Sequence, residues 1–353
     1  MLMPNNIKTD SPRSLKDMIK AEALRLGFSL CGITSVDPPD EYYRYEYWLR
    51  QDHQAGMSYL SSERHRELRK SPAALFSEAR SIISLGWQVP LRNIEQMKPG
   101  NQAWVAGYVG QKDYHAFLPQ KMDQLVEFIQ SNTDEEVKAM NFTDSAPILE
   151  RELAVRAGLG WIGKNSCLIS PDHGSSILLA EIFINLPLSA DDPFSADRCG
   201  SCSRCVESCP TGCILPDRTI SSSSCISYLT IENKGTIPEH LRDQFGNWFF
   251  GCDLCQIVCP WNQKGSGSEE AQNMTPEELI SLLSMSASQF NAKYKDSAFS
   301  RAKRHGLQRN ALVWMGNHLN FVDVKVIDNF MTHCENPVLF ELAGWVKNKI
   351  KNK

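Results

Sequence analysis

The chain has no apolar run approaching the ~18 residues that a membrane-spanning helix needs. Residues 1–20 are polar and hold no apolar stretch of the secretory-signal kind. No fixed-period repeat is visible. Gly158, Gly160 and Gly163 do not follow a strand, so the phosphate-cradling fingerprint of a nicotinamide-binding domain is missing. Positive charge is not in excess either. With 37 Lys and Arg against 41 Asp and Glu the formal net charge is −4, which argues against a general nucleic-acid coat. These absences lead to the expectation of a cytoplasmic protein with no membrane partner, working as a monomer.

The 353 residues are enough to bury a full core and suggest two or three units. Apolar residues make up 42% and charged residues 22%, ordinary values for a globular chain. Charge is unevenly placed. Residues 301–353 carry nine Lys and Arg against four acids, +5 for the tail and therefore −9 for the rest. Arg301, Lys303, Arg304 and Arg309 open this basic tail. It reads either as a face for a polyanion or as a solvated helical surface.

Hydrophobic spacing divides the chain. Ser11-Pro12 reads as a helix cap and first turn, followed by Leu15, Met18, Ile19, Ala23 and Leu26 at helical intervals up to Gly27. Strands are expected at Phe28–Ile33 and Ser81–Trp87, a helix at 114–131, another near 148–158, and strands near 166–169 and 176–184. Alternating strands and helices over residues 12–190 indicate an α/β domain. Residues 191–262 are cysteine-dense and turn-rich. After the linker signal Lys264-Gly-Ser-Gly-Ser268, the run Thr275-Pro-Glu-Glu278 has the form of a capping box. Helices near 305–318, 322–332 and 337–350 complete a helical tail over 275–353.

Twelve cysteines in a reducing compartment are not disulfides by default, so metal or catalysis must account for them. Cys199-x-x-Cys202-x-x-Cys205-x-x-x-Cys209-Pro210 is the bacterial ferredoxin run, in which three thiolates wrap one cubane and the fourth reaches a second cluster. A degenerate copy follows as Cys225, then Cys252-x-x-Cys255-x-x-x-Cys259-Pro260, opened by a 26-residue insertion. Cross-ligation assigns Cys199, Cys202, Cys205 and Cys259 to one [4Fe–4S] cluster. It assigns Cys209, Cys225, Cys252 and Cys255 to the other. Structural zinc favours two separated C-x-x-C pairs, not a triplet with a repeated Cys-Pro. Cys31, Cys167, Cys213 and Cys334 read as core residues or bystanders. A pure electron carrier has no need of the insertion, so something is expected to bind there.

Asp144 stands in a loop before a helix, where a carboxylate can either cap the helix or face a cavity. Its surroundings carry a resemblance. The blocks E-L-R-K-S-P (67–72), K-D-Y-H (112–115), D-S-A-P-I-L-E-R (144–151) and R-A-G-L-G-W-I-G-K-N (156–165) resemble those of the epoxyqueuosine reductases, cobalamin-dependent enzymes of tRNA modification. So do C-G-S-C-S-R-C-V-E-S-C-P-T-G (199–212), C-I-S-Y-L-T-I-E (225–232), G-C-D-L-C-Q-I-V-C-P-W-N (251–262) and Q-R-N-A (308–311), the likeness spanning about residues 13–320.

The resemblance implies three parts: an α/β cobalamin-binding domain (12–190), a ferredoxin-like two-cluster domain (191–262) and a short HEAT-like tail (275–353). It implies reduction of the epoxide of epoxyqueuosine, at the tRNA wobble position, to queuosine. Electrons would pass from an unidentified low-potential donor through the clusters to cobalamin. It makes Asp144 the acid for the departing oxygen, with its pKa held up by poor solvation. Arg69, Leu168, Leu179, Ser227 and Asp253 match cobalamin contacts, and Lys234 matches a tRNA contact. Arg301, Lys303, Arg304 and Arg309 would grip tRNA phosphates. Gly107-Tyr-Val-Gly-Gln111 is one residue longer than the family pattern. The run D-x-H-x-x-G is absent, so cobalt is expected to have no histidine lower ligand. A dehalogenase-like reductase of a small molecule and a two-cluster electron carrier are the rival readings.

Overall fold

The computed structural model describes residues 14–92, 97, 100–110, 113–264 and 273–353. Its first half is built on a four-stranded sheet in the order Leu30–Thr34, Ser81–Gln88, Ile177–Ile184, Ala139–Phe142. Every pair in it is antiparallel, with Ile33 opposite Ile83, Ile83 opposite Ile182, and Asn141 opposite Ile182. On one face Ile33, Ile83, Leu85, Ala180, Ile182 and Ile184 are buried against two helices. Leu15–Arg25 contributes Ile19 and Ala23. Tyr114–Gln130 contributes Leu118, Met122, Leu125 and Ile129, whose spacing of three and four forms one stripe. Each such side chain stabilises the fold by roughly 1.5–3 kcal/mol.

The opposite face carries Ser84, Leu179, Glu181 and Phe183, and the helix Glu150–Arg156 approaches it. The approach is tight. A Cβ at Gly32 would lie 2.1 Å from the Ala157 carbonyl oxygen, so only glycine fits there. This face, with polar groups among apolar ones, positions the site.

Most expected elements are present. The first helix is capped by Ser14, whose hydroxyl accepts from Asp17 N–H. The Ser11-Pro12 cap lies outside the described residues, as do Gln111 and residues 265–268 of the linker. Three helices that periodicity does not single out, Tyr42–Arg50, Ser58–Ser61 and Glu63–Lys70, bridge the first strand to Pro72. The tail opens at Thr275 with both hydrogen bonds of a capping box. Its last three helices are Lys303–Asn317, Val324–Thr332 and Pro337–Lys351.

The largest core does not follow linear order. It joins Ala103–Val105, the insertion and the tail, packing Trp104, Leu229, Phe249, Phe250, Leu312 and Trp314 together. Inside the insertion, the helix Ile226–Ile231 is followed by the strand Trp248–Phe250, which pairs parallel with Ala103–Val105. The insertion is thus a structural partner of the tail.

Candidate functional site

Cysteines of each expected set lie within electrostatic reach of one another. Cys259 lies within electrostatic reach of Cys199, Cys202 and Cys205. It shares an apolar shell with Trp161, Ile169 and Trp261. The indole N–H of Trp161 donates to Cys199 Sγ at 3.4 Å, and the Trp261 amide faces Cys259. In the other set, Cys252 lies within electrostatic reach of Cys225 and Cys209, and Cys255 of Cys252 and Cys225. Amides of Ser227 and Tyr228 face Cys225, and that of Leu254 faces Cys252. N–H groups aimed at sulfur suit thiolates that ligate iron. All twelve cysteines are free.

Cys213 is a finding that spacing does not reveal. It is buried, its Sγ lies 3.5 Å from Cys209 Sγ, and it also hydrogen-bonds Cys225. The turn Pro210–Gly212 brings it back against the second set, although it lies outside either ferredoxin run.

Asp144 sits two residues beyond the strand Ala139–Phe142, with φ 48°, in the left-handed region that Asp tolerates better than most residues. Its amide donates to Glu150 Oε1 at 2.9 Å. It is therefore not the cap of Glu150–Arg156, whose N-cap is Leu149 without a side-chain bond. The carboxylate is half exposed. Its Oδ2 accepts from Tyr114 Oη at 3.0 Å and from Arg301 Nη1 at 2.9 Å, with His115 Nε2 at 3.7 Å. His115 Nδ1 reaches Asp113 Oδ1 at 2.7 Å.

These contacts reverse the pKa expected for Asp144. Burial works to raise it, but the His115 hydrogen bond, the Arg301 charge and the Tyr114 hydroxyl outweigh burial and hold the carboxyl below its usual value. His115 is raised in turn by Asp144 and then by Asp113, against burial.

The basic residues divide. Arg309 is corrected from a phosphate contact to a buried structural residue, only 2% exposed. Its guanidinium donates to the carbonyls of Asn233, of Gly235 at 3.3 Å and of Leu229 at 2.7 Å, and to Asn310 Oδ1 at 2.9 Å. Burial lowers its pKa to about 10, still protonated at neutral pH. Arg301 is likewise turned inward, paired with Asp144 and, at 3.5 Å, with Glu232. Lys303 is exposed, and Arg304 is half-buried with a bond to the Met285 carbonyl at 3.3 Å. Lys234 is exposed beside this group, its Nζ 3.5 Å from the Arg301 carbonyl.

The remaining positions come from separate elements. Leu168 is buried and packs with Leu179, which pairs across the sheet with Gly86. Arg69 is buried over the Tyr45 ring at 5.3 Å and within electrostatic reach of Glu150. Asp253 Oδ2 accepts from Gly107 N–H at 2.7 Å, and burial pushes its pKa up to about 6. Tyr108 is within electrostatic reach of both Asp253 and Asp144. Ser227 is half-buried on the first turn after Cys225. Two leucines in one apolar cluster, with polar groups contributed by separate elements, are side chains of the kind that could hold a large ligand with an apolar face.

The repeated ferredoxin-type cysteine run points to an oxidoreductase with two [4Fe–4S] clusters. Residues 198–262 match the 4Fe-4S double cluster binding domain, and residues 69–145 match Epoxyqueuosine reductase QueG, DUF1730. An epoxyqueuosine reductase of Cyclobacterium marinum is 40% identical over 299 residues, covering 83% of this chain and 94% of that one. The structure of epoxyqueuosine reductase from Streptococcus thermophilus superposes with a TM-score of 0.86 at 26% identity, covering 96% of this chain and 90% of the other. An epoxyqueuosine reductase crystallised with an epoxyqueuosine-modified tRNA-Tyr stem loop gives 0.85 at 29% identity, covering 95% and 90%. The chain belongs to the epoxyqueuosine reductase family.

Proposed function

We propose that this chain reduces epoxyqueuosine to queuosine at the tRNA wobble position, with Asp144 as the group that protonates the departing oxygen. The observation that carries the reading is the convergence of Tyr114, His115 and Arg301 on Asp144 Oδ2, with Tyr108 within electrostatic reach of both Asp144 and Asp253, the neighbour of Cys252. Leu168 and Leu179 would lie behind cobalamin, and Arg69, Ser227 and Asp253 would hold its rim. Bound there, cobalamin supplies low-potential electrons to the epoxide carbon. The cysteine thiolates would hold the two clusters, which would pass electrons inward from a low-potential donor.

The chain's own residues manage the proton. Asp144 rests ionised, and His115, raised by Asp144 and Asp113, stands beside it as the proton source, its Nε2 also 3.1 Å from Arg301 Nη1. Arg301 orients the carboxylate and ties it to Glu232 of the insertion. When substrate excludes water from this mouth, the His115 proton passes through Asp144 to the oxygen. Lys234, Lys303 and Arg304, at the rim, would meet the phosphates of the anticodon arm. No helix among the described residues is long and apolar enough to cross a membrane. A monomer in the cytoplasm is consistent with a tRNA substrate.

Asp144→Asn tests the assignment, because asparagine keeps shape and most hydrogen bonds but cannot carry the proton. Single-turnover conversion of epoxyqueuosine-containing tRNA by pre-reduced enzyme should fall by roughly 10²–10⁴, with both cluster signals intact. A near-normal rate would remove Asp144 from the mechanism.

A further inference from the structure

Reduction of an epoxide to an alkene takes two electrons and two protons. Both C–O bonds break, a C=C π bond forms, and the oxygen leaves as water after two O–H bonds form. The electrons belong to the established activity. His115 behind Asp144 accounts for one proton, and the second needs a source at a mouth that substrate closes.

Two carboxyls lie directly behind Asp144. Glu150 Oε1 accepts the Asp144 amide at 2.9 Å, and Glu150 is half-buried. Glu181 is wholly buried in the middle of the strand Ile177–Ile184. Neither of its carboxyl oxygens has a hydrogen-bond partner among the described residues. The Ser84 hydroxyl, directly opposite on the neighbouring strand, is buried and unpartnered too. On its other side Glu181 pairs with Phe142, two residues before Asp144. An ionised carboxylate without a donor would be far too costly in such a place, whereas a neutral carboxyl is tolerable.

We propose that Glu150 and Glu181 are a buried proton store that reloads Asp144 with the second proton of the reaction. The proposal rests on the reading of Asp144 given above. Both glutamates act through Asp144 and are positioning residues. Charges facing Glu150 are Asp144 from its loop, Arg151 on its own helix, Arg69 from Glu63–Lys70, and Glu181 from the sheet. Burial first, then the Asp144 charge, raises Glu150 to about 7, the two arginines opposing. Burial, then Glu150 and Asp144, holds Glu181 well above the carboxylate range. Like charges this close do not ionise together, so the pair keeps at least one proton at neutral pH. Asp144, held low by its donors, does not keep that proton at rest; it takes it up only as its own passes to the departing oxygen.

Two measurements on the cluster-loaded enzyme test this. Infrared spectroscopy at neutral pH should show a protonated-carboxyl band that Glu181→Gln removes or diminishes, a readout independent of turnover. Absence of the band, or its persistence unchanged in Glu181→Gln, overturns the proposal. Separately, single-turnover rates should fall as pH rises through about 7, where Glu150 gives up its proton. Glu150→Gln, which keeps an acceptor for the Asp144 amide, should abolish that limb and slow turnover by roughly 10²-fold. An unchanged profile would show that Glu150 only braces the loop, and would overturn the store. If Glu150→Gln does not fold, the infrared comparison of wild type and Glu181→Gln decides alone. Should the wild-type enzyme fail to reduce epoxyqueuosine, the functional reading falls while the infrared result still decides whether the store exists.

Discussion

Replacing Arg309 by methionine separates a structural arginine from a tRNA contact. The change removes the guanidinium and keeps much of the apolar stem. It orphans the Leu229 and Asn233 carbonyls, both in the segment that carries Glu232 and Lys234. The Gly235 carbonyl, on an exposed residue, can turn to water. Asn310 loses its neighbour but keeps its own bond to the Thr230 carbonyl at 2.8 Å. Two unsatisfied carbonyls at about 1–3 kcal/mol each, plus poorer packing, give a destabilisation of about 3–5 kcal/mol. For a cooperative unfolding of this length that is a shift of roughly 4–7 °C in Tm. Differential scanning calorimetry reads the shift, and tRNA binding across a salt series reads the alternative. The slope against salt should stay as in the wild type. An unchanged melt with a flattened salt slope would refute the burial argument and return Arg309 to the phosphates.

The clusters make a second test. Reconstituted enzyme should hold eight cluster irons, from two four-iron sites. Cys252→Ala should lose one cluster's paramagnetic signal, whereas Cys213→Ala should keep both. A third concerns the rim: neutralising Lys234, Lys303 and Arg304 together should weaken different substrate tRNAs about equally. It should also flatten the salt slope by about 0.7–0.9 for each phosphate that no longer meets a cation. Unchanged binding would leave this face as solvated surface.

Local spacing makes the cluster ligands legible, because a ferredoxin run holds its geometry within a few residues. The tail helices are legible for a similar reason, through a capping box and apolar periodicity. Arg309 misleads because counting charge along a chain is blind to burial, and a run such as Gln308-Arg309-Asn310 looks solvated until its carbonyl partners are placed. Those partners lie about 75 residues earlier, in the insertion. Arg301 misleads likewise, its partner Asp144 being 157 residues away. The low pKa of Asp144 is invisible in the sequence for the same reason. Glu181 does leave a signal there: a single acid inside Ile-Leu-Leu-Ala-Glu-Ile-Phe-Ile (177–184), where a buried strand tolerates no ordinary charge. Alternation of strands and helices does not reveal that the pairs of the four-stranded sheet are all antiparallel, because pairing direction depends on connections that periodicity does not encode.

The central claim is reduction of epoxyqueuosine in tRNA, and its most direct measurement is conversion by the enzyme itself. Iron–sulfur- and cobalamin-loaded protein, reduced beforehand by a low-potential donor, is mixed with an epoxyqueuosine-containing anticodon stem loop, and its nucleosides are analysed by mass spectrometry. The account predicts loss of one oxygen from the modified base in the wild type, slowed by roughly 10²–10⁴ in Asp144→Asn. No loss of oxygen from the wild-type reaction, with both clusters intact and reduced, would contradict it.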